Sequence, residues 1–101
     1  MPNLDSKNRV IIPLSLRKDF SWDKTTELAV CYDFTEKMLY IVSKENSSNS
    51  YIVDFRKMDS QGRFLFVSDC MKLLPAQKYD FVALLKKGKK LYVKGMGKIE
   101  I

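Results

Sequence analysis

The 101-residue chain has no histidine, two cysteines, four glycines and three prolines. Without an imidazole, Cys31 and Cys70 lack the partner that would complete a zinc site or activate a thiol nucleophile. No glycine-rich phosphate cradle and no spaced set of metal ligands is present, so the expectation is a protein without cofactor or metal, and not an enzyme. Both cysteines lie in or beside apolar segments and read as buried inert thiols, while a disulfide between them stays open on sequence alone. Long apolar runs are missing too. The longest, Val10 to Leu14 and Phe81 to Leu85 among them, are five residues each, far short of the roughly 20 that span a bilayer. Met1 to Lys7 is polar and leads into no sustained apolar stretch, so the expected location is the cytoplasm, with no membrane partner.

What is present is ordinary globular composition, 46% hydrophobic and 30% charged, and a length suited to a single domain spanning 1–101. A chain of this size buries roughly two-thirds of its unfolded surface. That leaves little room for an elaborate cleft and favours a binding module. The net charge of +6 is unevenly placed: residues 1–50 carry seven Lys or Arg against seven Asp or Glu, residues 51–101 eleven against five. Such asymmetry suits a polyanion, nucleic acid above all, through counterion release. On charge alone, simple solubility explains it equally well.

The chain also repeats itself. Leu4-Asp5-Ser6-Lys7-Asn8-Arg9-Val10-Ile11-Ile12 returns 54 residues later as Met58-Asp59-Ser60-Gln61-Gly62-Arg63-Phe64-Leu65-Phe66. Asp5 and Asp59 are placed to close Asx turns, and Asn8 and Gly62 fall where a positive φ is most needed. Each turn releases a short buried strand, with an arginine at the junction. Downstream, Leu14 to Phe20 has the spacing of a short amphipathic helix, followed by strands near Glu27 to Tyr32 and Met38 to Val42. The second copy parallels this. Ser68 and Asp69 offer an N-cap for a helix to about Leu74, stopped by Pro75, and strands follow near Tyr79 to Leu85 and Lys89 to Val93. Repeat one is placed at 3–44, a flexible polar connector at 45–50 and repeat two at 51–96. A strand at Tyr51 to Lys57 precedes the second copy but has no counterpart before the first. The alternating tail, 97–101, is expected to supply it by pairing beside the first copy.

Asp5-Ser6-Lys7-Asn8-Arg9-Val10-Ile11-Ile12-Pro13 followed by Leu16-Arg17-Lys18 resembles the pattern of the AbrB, MazE and MraZ families: Asp, two variable residues, Gly, Arg, an apolar strand, Pro, then Leu-Arg. The resemblance is specific over residues 4–20, weaker over 58–74, and extended by the hairpins. It implies a mainly β fold with short helices, a pseudo-twofold swapped-hairpin (double-psi-like) β-barrel built from two internal repeats. It further implies a DNA-binding transcriptional regulator contacting duplex DNA through Arg9, Arg17 and Lys18 in the first copy and Arg63 and Lys72 in the second. Arg56 and Lys57 would widen that surface, or serve as ordinary strand-end charges. Asn8 replaces the family glycine, Val67 stands where proline is expected, and Met71 aligns with Arg17. The alternative is therefore a protein-interaction or scaffold module on a barrel that no longer binds DNA specifically. Self-association is compatible with either.

Two local readings compete with DNA contact. Arg9 and Arg63 can pair with Asp5 and Asp59 to hold their own turns, an exposed interaction worth about 0–1 kcal/mol. The lysines around Gly88 form a hairpin tip, where they either stay solvated and discourage edge pairing or bind phosphate. Phe20, Trp22, Tyr32 and Phe34 are expected mostly inside.

Overall fold

The computed structural model describes residues 2–98. Its architecture is mainly β, with two short helices and two antiparallel sheets. The strands are β1 (Arg9–Ile11), β2 (Leu28–Asp33), β3 (Met38–Ser43), β4 (Tyr51–Arg56), β5 (Arg63–Leu65), β6 (Phe81–Lys87) and β7 (Lys90–Gly97). The helices are α1 (Leu14–Phe20) and α2 (Ser68–Leu73). No helix is long and apolar enough to cross a membrane.

Strands β1 and β5 form a two-stranded ribbon, and the others a five-stranded sheet in the order β4-β2-β3-β7-β6. Neither sheet closes on itself. The closed barrel expected from the sequence is therefore replaced, among the described residues, by an open sheet with β4 and β6 at its edges. Cross-strand registers nevertheless obey a pseudo-twofold relation. Val10 faces Phe64 at the middle of the ribbon, and Tyr40 faces Tyr92 at the middle of the sheet. The contacts between ribbon and turns are reciprocal: Ile12 N–H donates to the Gly62 carbonyl at 3.0 Å, and Phe66 N–H donates to that of Asn8 at 2.9 Å.

The core lies between the ribbon, the helices and one face of the sheet. Val10, Ile12, Phe64 and Phe66 point inward from the ribbon and its extensions, meeting Leu28, Val30, Leu39, Ile41, Leu91 and Val93 from the sheet. Burying each such side chain contributes roughly 1.5–3 kcal/mol. A smaller cluster of Ala29, Cys31, Tyr40, Val42 and Tyr92 occupies the opposite face of the sheet. Cys31 and Cys70 thus lie in different clusters, as buried free thiols, and burial pushes the Cys70 thiol up to about 11.

Several boundaries differ from the sequence-based expectation. Val67, not Ser68 or Asp69, caps α2, with no side-chain hydrogen bond, and Ser68 is already helical. Tyr79 adopts φ 68°, which extended backbone cannot accommodate, so the strand expected there starts at Phe81. The Asp80 carboxylate accepts from Gln77 N–H at 2.9 Å, tightening that turn. Phe34 is exposed rather than inside: it sits in the turn beyond β2, where its ring contacts Tyr32 and Tyr51 edge-on. The connector folds into a compact turn. A 3-10 turn at Lys44–Asn46 leads into buried Ser47, whose hydroxyl donates to the Lys44 carbonyl at 2.6 Å. The Asn46 amide donates to the Ser43 hydroxyl at 2.7 Å, closing the turn on itself.

The position before the first motif is also filled differently. Asn3 bridges Phe81, with Leu4 N–H donating to the Asp80 carbonyl and Val82 N–H to that of Pro2. Gly97, placed in the tail strand by the sequence, instead ends β7 opposite Phe81, because β7 follows β6 to its end. Lys98 lies outside any strand, and the rest of that expected strand, 99–101, lies outside the described residues.

Phe64 is fully buried whereas Ile11, one strand over, is 54% exposed. Phe64→Ala should therefore cost about 3–5 kcal/mol, and Ile11→Ala no more than about 0.5 kcal/mol. Urea unfolding followed by tryptophan fluorescence measures both.

Candidate nucleic-acid interface

Each repeat presents its arginine from a clamped turn. In the first, Asp5 Oδ1 accepts from Lys7 N–H and Arg9 N–H, both at 2.9 Å, while Oδ2 accepts from Arg9 Nε at 2.7 Å. In the second, Asp59 Oδ1 accepts from Gln61 N–H and Arg63 N–H at 2.9 Å, and Oδ2 from Arg63 Nε at 2.5 Å. Asn8 at φ 60° and Gly62 at φ 79° supply the left-handed step that lets the chain reverse. At Asp59 the Arg63 backbone N–H is the leading reason its carboxyl is held below the ordinary 3.8. At Asp5 burial pulls the other way, but the Arg9 and Lys7 amides and the Arg9 guanidinium outweigh it, and the net direction is again down.

Only Nε of each arginine is engaged by its aspartate; among the described residues the terminal guanidinium nitrogens have no hydrogen-bond partner. Strand alternation puts Arg9, Ile11, Arg63 and Leu65 on one face of the ribbon, opposite buried Val10 and Phe64. Arg9 faces Leu65 and Ile11 faces Arg63, which makes the two arginines diagonal neighbours across the pseudo-dyad, at about 7–8 Å by strand geometry.

Arg17 is also anchored within the fold. Its Nε donates to the Ile12 carbonyl at 2.8 Å, and its guanidinium lies over Gly62 of the other repeat, where an added Cβ would come within 2.5 Å of Cζ. Lys18 is exposed on α1 and shares a cleft of about 620 Å³ with Arg17, Trp22, Lys24, Asp59 and Ser60. Lys72, the counterpart of Lys18, is exposed in the last turn of α2. Met71, the counterpart of Arg17, is packed in the core. Arg56 is held by Asp54 at 3.0 Å on its own strand, and Lys57 opens beside Glu27 and Lys44. Neither joins the cleft of Arg17 and Lys18.

Three of the hairpin lysines lie against rings: Lys86 over Phe20 and 3.6 Å from Asp19, Lys87 over Tyr92, Lys90 over Tyr40. Lys24 in the cleft, and Ile11 and Leu65 beside the arginines, are not singled out by the sequence. The two aliphatic residues are within reach of period-two counting from Arg9 and Arg63; Lys24 carries no local signal. No protein-family model, curated protein or solved structure matches the chain.

Gly62→Ala should cost about 1–2 kcal/mol for the left-handed backbone alone and should displace the Arg17 guanidinium. Asn8→Gly should be neutral or mildly stabilising, since Asn8 Oδ1 is buried without a hydrogen-bond partner among the described residues. Thermal melts of the two variants compare these effects.

Because Asp5 and Asp59 titrate lower when folded than the ordinary 3.8, their stabilisation is complete above that value. It is lost as pH falls through the lowered folded values. Melts taken from neutral pH downward should show the acid limb flattened in the Asp5→Asn, Asp59→Asn double variant.

Proposed function

We propose that the chain is a duplex-DNA-binding regulator, an open-sheet variant of the swapped-hairpin architecture of the AbrB and MraZ families, that lays its β1–β5 ribbon into the major groove. The observation that carries this reading is the diagonal pair Arg9 and Arg63 on the exposed ribbon face, each with one edge clamped and the other edge open. A major groove about 12 Å wide admits a two-stranded ribbon. The open edge of a guanidinium matches guanine O6 and N7, or a phosphate, in a planar fork. Ile11 and Leu65, interleaved with the arginines, offer apolar contact to thymine methyl groups. Lys18 and Lys72, exposed on the helices that follow β1 and β5, suit phosphate contacts that fix register without reading sequence.

A pseudo-dyad on the protein fits the local twofold of a duplex. The match is unequal, since Arg17 lies at the Gly62 turn while its counterpart Met71 is in the core. The preferred site is accordingly an imperfect palindrome. No cofactor or metal is needed for binding of this kind.

Selection from genomic fragments, followed by titration over a salt series, tests the reading. Wild-type binding should weaken steeply with salt. Lys18→Ala and Lys72→Ala each free one phosphate to recover its counterion, and each should lower the slope by about 0.9. Arg9→Lys with Arg63→Lys keeps the charge but removes the planar fork, and should erode discrimination by about 1–3 kcal/mol at each guanine so read. Unchanged affinity, slope and discrimination in these folded variants would overturn the assignment.

A further inference from the structure

The pseudo-twofold relation breaks down at one edge of the sheet. In the first hairpin, β2 takes β4 along its outer side over five positions, from Leu28 opposite Arg56 to Tyr32 opposite Tyr51. The equivalent strand of the second hairpin, β6, takes only Pro2 to Leu4, bridged at Asn3 and Phe81. Val82 N–H points outward to the Pro2 carbonyl. Alternation along an antiparallel strand directs the N–H and C=O groups of Leu84 and Lys86 to the same side. Among the described residues no strand meets them there. The other sheet edge differs, because β4 is itself the added strand and has no pseudo-equivalent neighbour beyond it.

We propose that β6 accepts an extended acidic segment of a partner protein as an antiparallel strand over Ala83 to Lys87, in the place that β4 occupies beside β2. The charge of the edge selects the occupant. Lys86 and Lys87 lie on the strand and Lys89 in the following turn, and among the described residues Asp19 is the one carboxylate paired to this group. A second copy of the chain fits poorly: with Pro2 to Leu4 holding the start of β6, self-pairing centred on Leu85 makes Lys86 of both copies diagonal neighbours, and like charges so placed repel. A glutamate or aspartate opposite Lys86 removes that penalty and adds cross-strand attraction. Main-chain hydrogen bonds supply affinity and alternate side chains supply selectivity, the general mode of strand addition. This inference is independent of the DNA reading, since the ribbon arginines take no part.

The probe is a capped heptapeptide alternating glutamate and valine, and the measurement is amide hydrogen exchange at Leu84 and Lys86 in the full chain. Both amides should exchange rapidly in the protein alone and slow at least tenfold on saturation with the peptide. A peptide N-methylated at alternate residues keeps its charge but cannot pair backbones, and should bind at least tenfold more weakly. Lys86→Pro, which removes one outward N–H at an exposed edge position, should weaken the unmethylated peptide similarly. Arg9→Ala with Arg63→Ala should leave peptide binding unchanged. Protection of Leu84 and Lys86 in the protein alone would show the edge already covered and overturn the proposal. Equal binding of the methylated peptide, or of a lysine–valine peptide, would overturn it as well, and both of these use the unmodified protein.

Discussion

The pairing of β1 with β5 is the constraint on which the rest of the molecule depends. Each strand has only three residues and cannot be stable alone, and the two lie 54 residues apart in the chain. Their union is secured by Val10 and Phe64, both fully buried, and by the reciprocal hydrogen bonds from Ile12 to Gly62 and from Phe66 to Asn8. Closing so long a loop has an entropic cost that grows only slowly with length. Once closed, the ribbon roofs the core and fixes the angle at which both arginine turns leave it. The compact connector after β3 helps by starting β4 directly beside β2.

The arginine turns show how a structural contact can orient a long side chain. A partly exposed ion pair of this kind stabilises the fold by at most about 1 kcal/mol. Its greater effect is orientational. With Nε held by aspartate, the guanidinium plane is set and its outer edge faces away from the turn, so less rotamer freedom is lost when a ligand arrives. The two roles that compete on sequence, turn stabiliser and anion contact, call on different atoms of the same side chain, so the turn contact leaves the proposed one open.

The repeats share a scaffold but have diverged in what they show to solvent. Arg17 crosses to cover Gly62, whereas Met71 turns inward. Lysines gather at the second hairpin, where several lie over aromatic rings of the sheet and of α1. The first hairpin carries a full neighbouring strand, and the second carries three residues of one. A fused pair can vary each half separately, which two identical chains cannot.

The sequence by itself determined the repeat, the turn chemistry and the order of elements. Those follow from short-range rules: Asx turns need Asp at a fixed offset, a left-handed step needs Asn or Gly, and buried strands leave a periodic trace in Val10 to Ile12 and Phe64 to Phe66. The candidate residues Arg9, Arg17, Lys18, Arg63 and Lys72 came instead from the resemblance to the AbrB and MraZ pattern. Tertiary structure decided which of them lie together. That Arg9 and Arg63 share a face, that Arg17 directs its Nε to a carbonyl, and that Arg56 is occupied by Asp54 all depend on registers between distant segments. It also decided that the sheet stays open, that Asn3 rather than Gly97 lies on the outer side of β6, and that Phe34 remains outside. Strand pairing is chosen by the summed burial of both faces across the whole chain, and no local pattern encodes that sum.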